Sequence, residues 1–272
     1  MVAFVVHELV SEQPLINLRY VTTGNIPILA LILILFRFVV LATALVVPQY
    51  LTTVQGFRAL QTGDVLLWMA LPQFVLAPLI ANTLRYVDAR IPLALGFALI
   101  GVACFMASDV TSAWQSDDFL PSQILQAIGQ SFGFTSLIWF LSRHLTPRDT
   151  LTFGAFVQTM RLFGGELGVA FMQTLLRVSE QFHSHQVGLH VVAGSFLADS
   201  RLDGYDAAVA SRSIGQPEAY ARAMSLLSSA TRTQANVLSY IDGFTVIGIS
   251  TIGGLLLIAL LRPLPHGSEV SS

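Results

Sequence analysis

The sequence predicts an all-α membrane protein: six transmembrane helices in one bundle, with an extra N-terminal helical tail and a long external loop before the last span. Two observations carry this expectation. Hydrophobic residues make up 54% of the 272-residue chain and charged residues only 11%, a balance that soluble domains do not show. Six apolar runs, at about 26–47, 65–84, 91–108, 120–141, 151–175 and 238–261, each approach the roughly 20 residues a helix needs to cross a bilayer. Residues 1–272 then form a single membrane domain, with 178–237 as an external segment.

Each element has local support. Met1–Val6 reads as the tail of an apolar run, and Pro14–Gly24 as a connector. Pro27 suits the first turn of span one, where its missing N–H costs nothing, and Pro48 is expected to close that span. Gln55, Gly56 and Gly63 punctuate the following loop. Pro72 and Pro78 should bend span two, which membrane helices accept when neighbours satisfy the freed backbone. Span three is uniformly apolar, Pro121 opens span four, and Thr146-Pro147 separates spans four and five. Ser179–His190 extends span five as helix, and Leu202–Gln216 is a loop. Pro217 then opens a stretch with apolar Ala221, Met224, Leu227 and Leu238 near helical spacing, so that span six ends one long helix.

Charge sets orientation and excludes several functions. All basic residues are arginine, the net charge is −2, and no basic cluster marks a nucleic-acid partner. Arg19, Arg85, Arg90, Arg143, Arg148 and Arg262 fall on one side of the predicted spans, whereas short loops on the other side hold only Arg58. The positive-inside rule therefore puts both termini in the cytoplasm. Cys104 is the single cysteine, so no intrachain disulfide forms. No phosphate loop, nucleophile elbow or paired-histidine metal helix is present, so no enzyme, cofactor or metal is expected. His183, His185 and His190 lack the carboxylate or cysteine partners of a metal site.

Polar residues inside the spans are the candidate functional groups. Arg37 stands eleven positions after Ile26, about 16 Å along a helix at 1.5 Å per residue, near mid-bilayer. An arginine there costs roughly 2.5–3.5 kcal/mol even on the gentler insertion scale, so it must face a hydrated cavity or a carboxylate. It is either half of a structural ion pair or part of a substrate or proton pathway. On span five, Gln158, Arg161, Gly164, Gly165 and Gly168 share one face, and Thr159, Glu166 and Gln173 share another. The glycines favour close approach of a neighbouring helix. Glu166, the deepest carboxylate, could load and release protons or sit in a permanent bridge, for example to Arg37.

Span four carries a stripe of Gln123, Gln126 and Gln130, continued by Phe134, beside the close-packing pair Gly129 and Gly133. Amides beside aromatics suit a cavity for bulky, weakly polar molecules, and equally suit helix-to-helix bonding. Asp64 and Asp242 lie near external span ends, and Asp242 joins the candidate pathway set.

The order of features resembles the C-terminal half of a major facilitator superfamily transporter, and more narrowly the fourteen-span drug:proton antiporter group that includes the EmrB-type exporters. His7-Glu8 with Pro14-Leu15-Ile16-Asn17-Leu18-Arg19 is similar to the family's connector before its ninth span. Tyr50, Gln55-Gly56-Phe57-Arg58-Ala59 and Gly63 resemble the loop that follows it. Arg85–Arg90 looks like a weakened copy of the superfamily's cytoplasmic loop motif, without its glycines. Thr146-Pro147-Arg148-Asp149 and the Gln158 to Gly168 face resemble the penultimate span, and Gln234-Ala235 with Tyr240, Asp242 and Phe244 the start of the last. Glu166 and Arg58 depart from the usual small residues.

The resemblance implies proton-coupled efflux of drugs or small solutes by alternating access between two six-helix bundles, of which this chain supplies one. It implies membrane lipid, a small-molecule substrate and protons as partners, together with a missing N-terminal half, a second copy or a periplasmic adaptor protein. The rival expectation is a non-transporting membrane fragment or assembly module.

Overall fold

A computed structural model describes residues 25–143, 150–190 and 216–261; the expected N-terminal tail, the Thr146-Pro147 connector and most of the Leu202–Gln216 loop lie outside these residues. The described residues form helices and turns without a strand. The long helices are α1 (Ile26–Thr53), α2 (Ala59–Thr83), α3 (Arg90–Ala107), α4 (Leu120–Ser142), α5 (Thr150–His190) and α6 (Gln216–Ala259), with a short 3-10 turn, Asp117–Phe119, ahead of α4.

Five helical segments are long and apolar enough to cross a membrane: α1, α2, α3, α4 with its preceding turn, and Met224–Ala259 of α6. By that measure α5 is not among them. Gln158, Thr159, Arg161, Glu166, Gln173, Thr174 and Arg177 dilute its hydropathy. Packing against α1 and α6 nevertheless holds α5 in the bundle.

Helix ends follow local chemistry. Pro27 occupies the first turn of α1. The helix does not stop at Pro48, as the sequence suggests, but runs on to Thr53; a proline this near the end deletes a single backbone bond, and the Val54 N–H still reaches the Tyr50 carbonyl at 2.8 Å. Gly56 reverses the chain with φ of 67°, a left-handed conformation that favours glycine. The Arg58 N–H then donates to the Gln61 side chain at 2.9 Å, which caps α2. That helix starts at Ala59, ahead of the expected position 65, and continues through Pro72 and Pro78.

α1 is the central helix, packed against α4, α5 and α6. Glycines set the closest approaches. A Cβ on Gly96 of α3 would meet the Gly129 carbonyl oxygen of α4 at 2.8 Å, and one on Gly129 would meet the Ile100 backbone nitrogen at 2.9 Å, so these two backbones touch. Gly164 lies against Ile34 and Gly168 against Phe38; both pairs advance together by four residues, so α5 and α1 run parallel. Gly101 faces Thr251 and Gly254 faces Phe97, the antiparallel register of α3 with α6. Dispersion across such contacts, more than hydrophobicity, drives helix association in lipid.

α2 is the edge helix. Only 11% of its most apolar stretch is buried, against 56% for α1, and it exposes Leu67, Trp68, Leu71, Phe74, Val75 and Leu79. It packs chiefly on α4. At the opposite edge, α5 exposes Leu162, Phe163, Leu167 and Phe171.

Candidate functional site

Four helices converge on a cavity of about 200 Å³ lined by Phe36, Arg37 and Val40 of α1, Gln73 and Ala77 of α2, Gln130, Ser131, Phe134 and Thr135 of α4, and Arg161 of α5. The glycine contacts explain the meeting of the two arginines. Gly164 and Gly168 bring α5 onto the backbone of α1, and Arg161 lies one turn before Gly164 on the same face. Gly133 seats the Phe36 ring in the same way, which fixes the turn that carries Arg37.

The polar groups around this cavity divide into a satisfied set and an unsatisfied set. Gln73 donates through Nε2 to the Gln130 Oε1 at 3.1 Å and to the Met69 carbonyl at 3.1 Å, while Gln130 Nε2 faces the Met69 sulfur at 3.5 Å. Ser131 returns its hydroxyl to the Ala127 carbonyl at 2.8 Å. By contrast, Arg37 Nε and Arg161 Nε are buried and receive no partner among the described residues. The two guanidinium-bearing side chains line the same cavity, and no carboxylate lines it among the described residues.

The structure separates the sequence candidates into groups. Arg37, Arg161 and Gln130 share the cavity. Gln123 and Gln126 are buried elsewhere along α4, and Gln126 Nε2 has no partner among the described residues. Glu166 is exposed on α5, and no ion pair joins it to Arg37 or Arg161 among the described residues. The permanent Arg37–Glu166 bridge considered from sequence is therefore absent: Gly164, Gly165 and Gly168 face α1, and Glu166 points away from them. Asp242 lies outside this cavity. Its Oδ2 is 2.8 Å from His183 Nε2, a bond between the extended parts of α5 and α6.

Sequence reasoning missed Gln73, Thr135 and Phe36. Gln73 had a signal, as the one glutamine within the predicted apolar run at 65–84, but its partner depends on which helix α2 packs against. A second, larger cavity of about 480 Å³ lies where α1, α5 and α6 meet beyond the apolar core, lined by Gln49, Gln173, Arg177, Glu180, Arg232, Asn236 and Tyr240 among others. Above it Tyr50 donates to the Thr111 carbonyl at 2.6 Å and stacks edge-on with Phe119 and Tyr240, tying the loop after α3 to the end of α1.

Charged and amide groups thus converge inside an apolar helical bundle. No family model matches the chain. It is 23% identical over 266 residues to "Uncharacterized MFS-type transporter YhcA" of Bacillus subtilis (strain 168), covering 96% of this chain and 49% of that protein. It is 21% identical over 188 residues to "Fatty acid resistance protein FarB" of Neisseria gonorrhoeae, covering 69% of this chain and 37% of that one. The chain thus spans about half or less of the length of these relatives. Together with the apolar helices, these likenesses support a multi-pass membrane transporter of the major facilitator type.

Proposed function

We propose that this chain is the C-terminal helical bundle of a proton-coupled exporter of drugs or small amphipathic solutes, working by alternating access in the inner membrane with both termini in the cytoplasm. The observation that carries this reading is the cavity that Arg37 and Arg161 share within a largely apolar bundle. Two guanidiniums are costly in lipid and are retained where water or solute reaches them. Their place in one cavity, with no carboxylate lining it among the described residues, supports a pathway over a structural ion pair.

The cavity lies between α2 and α5, whose outward faces are the least covered of the bundle. We infer that a second bundle packs on those faces and completes the pathway, as in transporters that rock two halves about a central site. It belongs to the rest of a longer protein, to a separate polypeptide or to a second copy. Glu166, exposed on α5 toward that side, is the proposed proton carrier, and a periplasmic adaptor protein would dock at the outer end. The name of FarB refers to fatty acid resistance, and amphipathic molecules of that general kind fall within the proposed range.

The test is efflux of fluorescent dyes from inverted membrane vesicles containing this chain, first alone and then with any in-frame upstream sequence. Proton-dependent efflux that Arg37→Gln and Arg161→Gln abolish is the expected result. Its absence in both preparations would leave the chain a non-transporting module.

A further inference from the structure

We propose that the cavity between Arg37 and Arg161 binds the carboxylate of a small amphipathic organic acid, with the acid's apolar part lying along Phe36 and Phe134. This rests on the transport reading and names the substrate class of the same site. The starting point is charge: two arginines line a cavity of about 200 Å³, and no acidic residue lines it among the described residues. Both Nε atoms are buried without a partner among the described residues. Like charges that share one cavity favour an anion between them.

Geometry selects the kind of anion. A guanidinium presents its donors in a planar fork that matches the two oxygens of a carboxylate, and two such forks can hold one carboxylate from two sides. The amides do not compete for this role, because the Gln73 Nε2 is already committed to Gln130 Oε1 and to the Met69 carbonyl. The remaining wall combines Phe36, Val40, Ala77 and Phe134 with the hydroxyl-bearing Ser131 and Thr135. Phe36 and Phe134 stack with ring centroids 6.5 Å apart at 24°, and Phe134 keeps 39% of its surface exposed. A ring or short alkyl chain attached to the carboxylate lies along that surface, and a longer tail leaves between α2 and α5. A cationic drug meets repulsion at the same place.

The experiment uses the full chain in nanodiscs of zwitterionic lipid and three water-soluble probes of one shape: 4-phenylbutanoate, 4-phenylbutanamide and 4-phenylbutylamine. Calorimetric titration is expected to show the acid binding about tenfold or more tighter than the amide, with the amine weakest. Arg37→Gln and Arg161→Gln should each remove most of the acid's advantage while leaving the amide unchanged, and Arg161→Lys should retain part of it. Equal affinity for acid and amide in the unsubstituted chain overturns the proposal, even if the variants fail to fold. Repeating the titration in phosphatidylglycerol discs identifies the source of the anion: unchanged acid affinity supports a solute, and loss of it assigns the site to a lipid headgroup and overturns the solute form. Dye efflux without acid preference removes this inference and leaves transport standing; acid preference without efflux does the reverse.

Discussion

Gly164 of α5 lies so close to the Ile34 carbonyl oxygen of α1 that no β-carbon fits between them. One turn on, a Cβ at Gly168 would meet the Phe38 carbonyl oxygen at 2.6 Å. These two contacts fix the height of Arg161 beside Arg37, because backbone cannot rotate away as a side chain can. The intervening Gly165 differs: its Cβ would meet only the tip of Leu41, which has other rotamers.

That difference makes an ordered prediction. Gly164→Ala and Gly168→Ala should each destabilise the bundle by about 1–3 kcal/mol, the usual cost of overpacking a rigid contact. Gly165→Ala should cost less than either. Thermal unfolding in nanodiscs measures the ranking, and equal costs at the three positions would mean that α5 does not rest on the α1 backbone.

The amide pair makes a second prediction. Gln73 Nε2 and Gln130 Oε1 are 3.1 Å apart and join the edge helix α2 to α4. A double-mutant cycle with Gln73→Ala and Gln130→Ala should give a coupling of about 0.6 kcal/mol, typical of such bonds inside membranes. Additive effects would place the two side chains apart.

His183 and Asp242 make a third. The bond between them, at 2.8 Å, is half exposed on the Asp242 side, where 43% of the side chain is accessible. Pairs so placed contribute at most about 1 kcal/mol. Asp242→Asn should therefore loosen the α5–α6 hairpin slightly, raising hydrogen exchange there, while acid binding at Arg37 and Arg161 stays unchanged. A large loss of binding would return Asp242 to the pathway.

Glu166 carries the fourth. It is exposed on α5, without a salt bridge among the described residues, on a face shared with Leu162, Phe163 and Leu167. Glu166→Gln should abolish the dependence of transport on a proton gradient and leave substrate binding intact. Unaltered coupling in that variant would remove Glu166 from proton transfer.

What the sequence revealed and what it withheld have a common physical origin. Hydropathy is a local property, so six apolar runs can be read along the chain; five of the described helical segments are apolar enough to span a membrane, and in α5 polar residues dilute the signal, although its glycines mark a contact face. The cost of an arginine in lipid is also local, which is why Arg37 and Arg161 stand out before any fold is known. Their shared cavity is not local. It depends on the parallel register of α1 and α5 and on Gly133 admitting the Phe36 ring.

Partners are less legible still. The sequence offers Glu166 to Arg37, and the direction of the α5 glycine face denies it. It gives His183 no partner, whereas the extension of α5 to His190 and of α6 back to Gln216 brings that imidazole to Asp242. Gln123 and Gln126 share a stripe with Gln130, yet among the three only Gln130 lines the cavity, where Gln73 of α2 meets it.

Water access to the arginine cavity can be measured directly by thiol chemistry in a Cys104→Ser background. Thr135→Cys lies in the cavity, whereas Leu256→Cys lies on the exposed apolar face of α6. A charged, membrane-impermeant methanethiosulfonate reagent applied to the protein in nanodiscs should modify Thr135→Cys at least about tenfold faster, since the reactive thiolate requires a hydrated surrounding. Equal, slow modification at both positions would show the two guanidiniums sealed from water, and would contradict a transport pathway through this bundle.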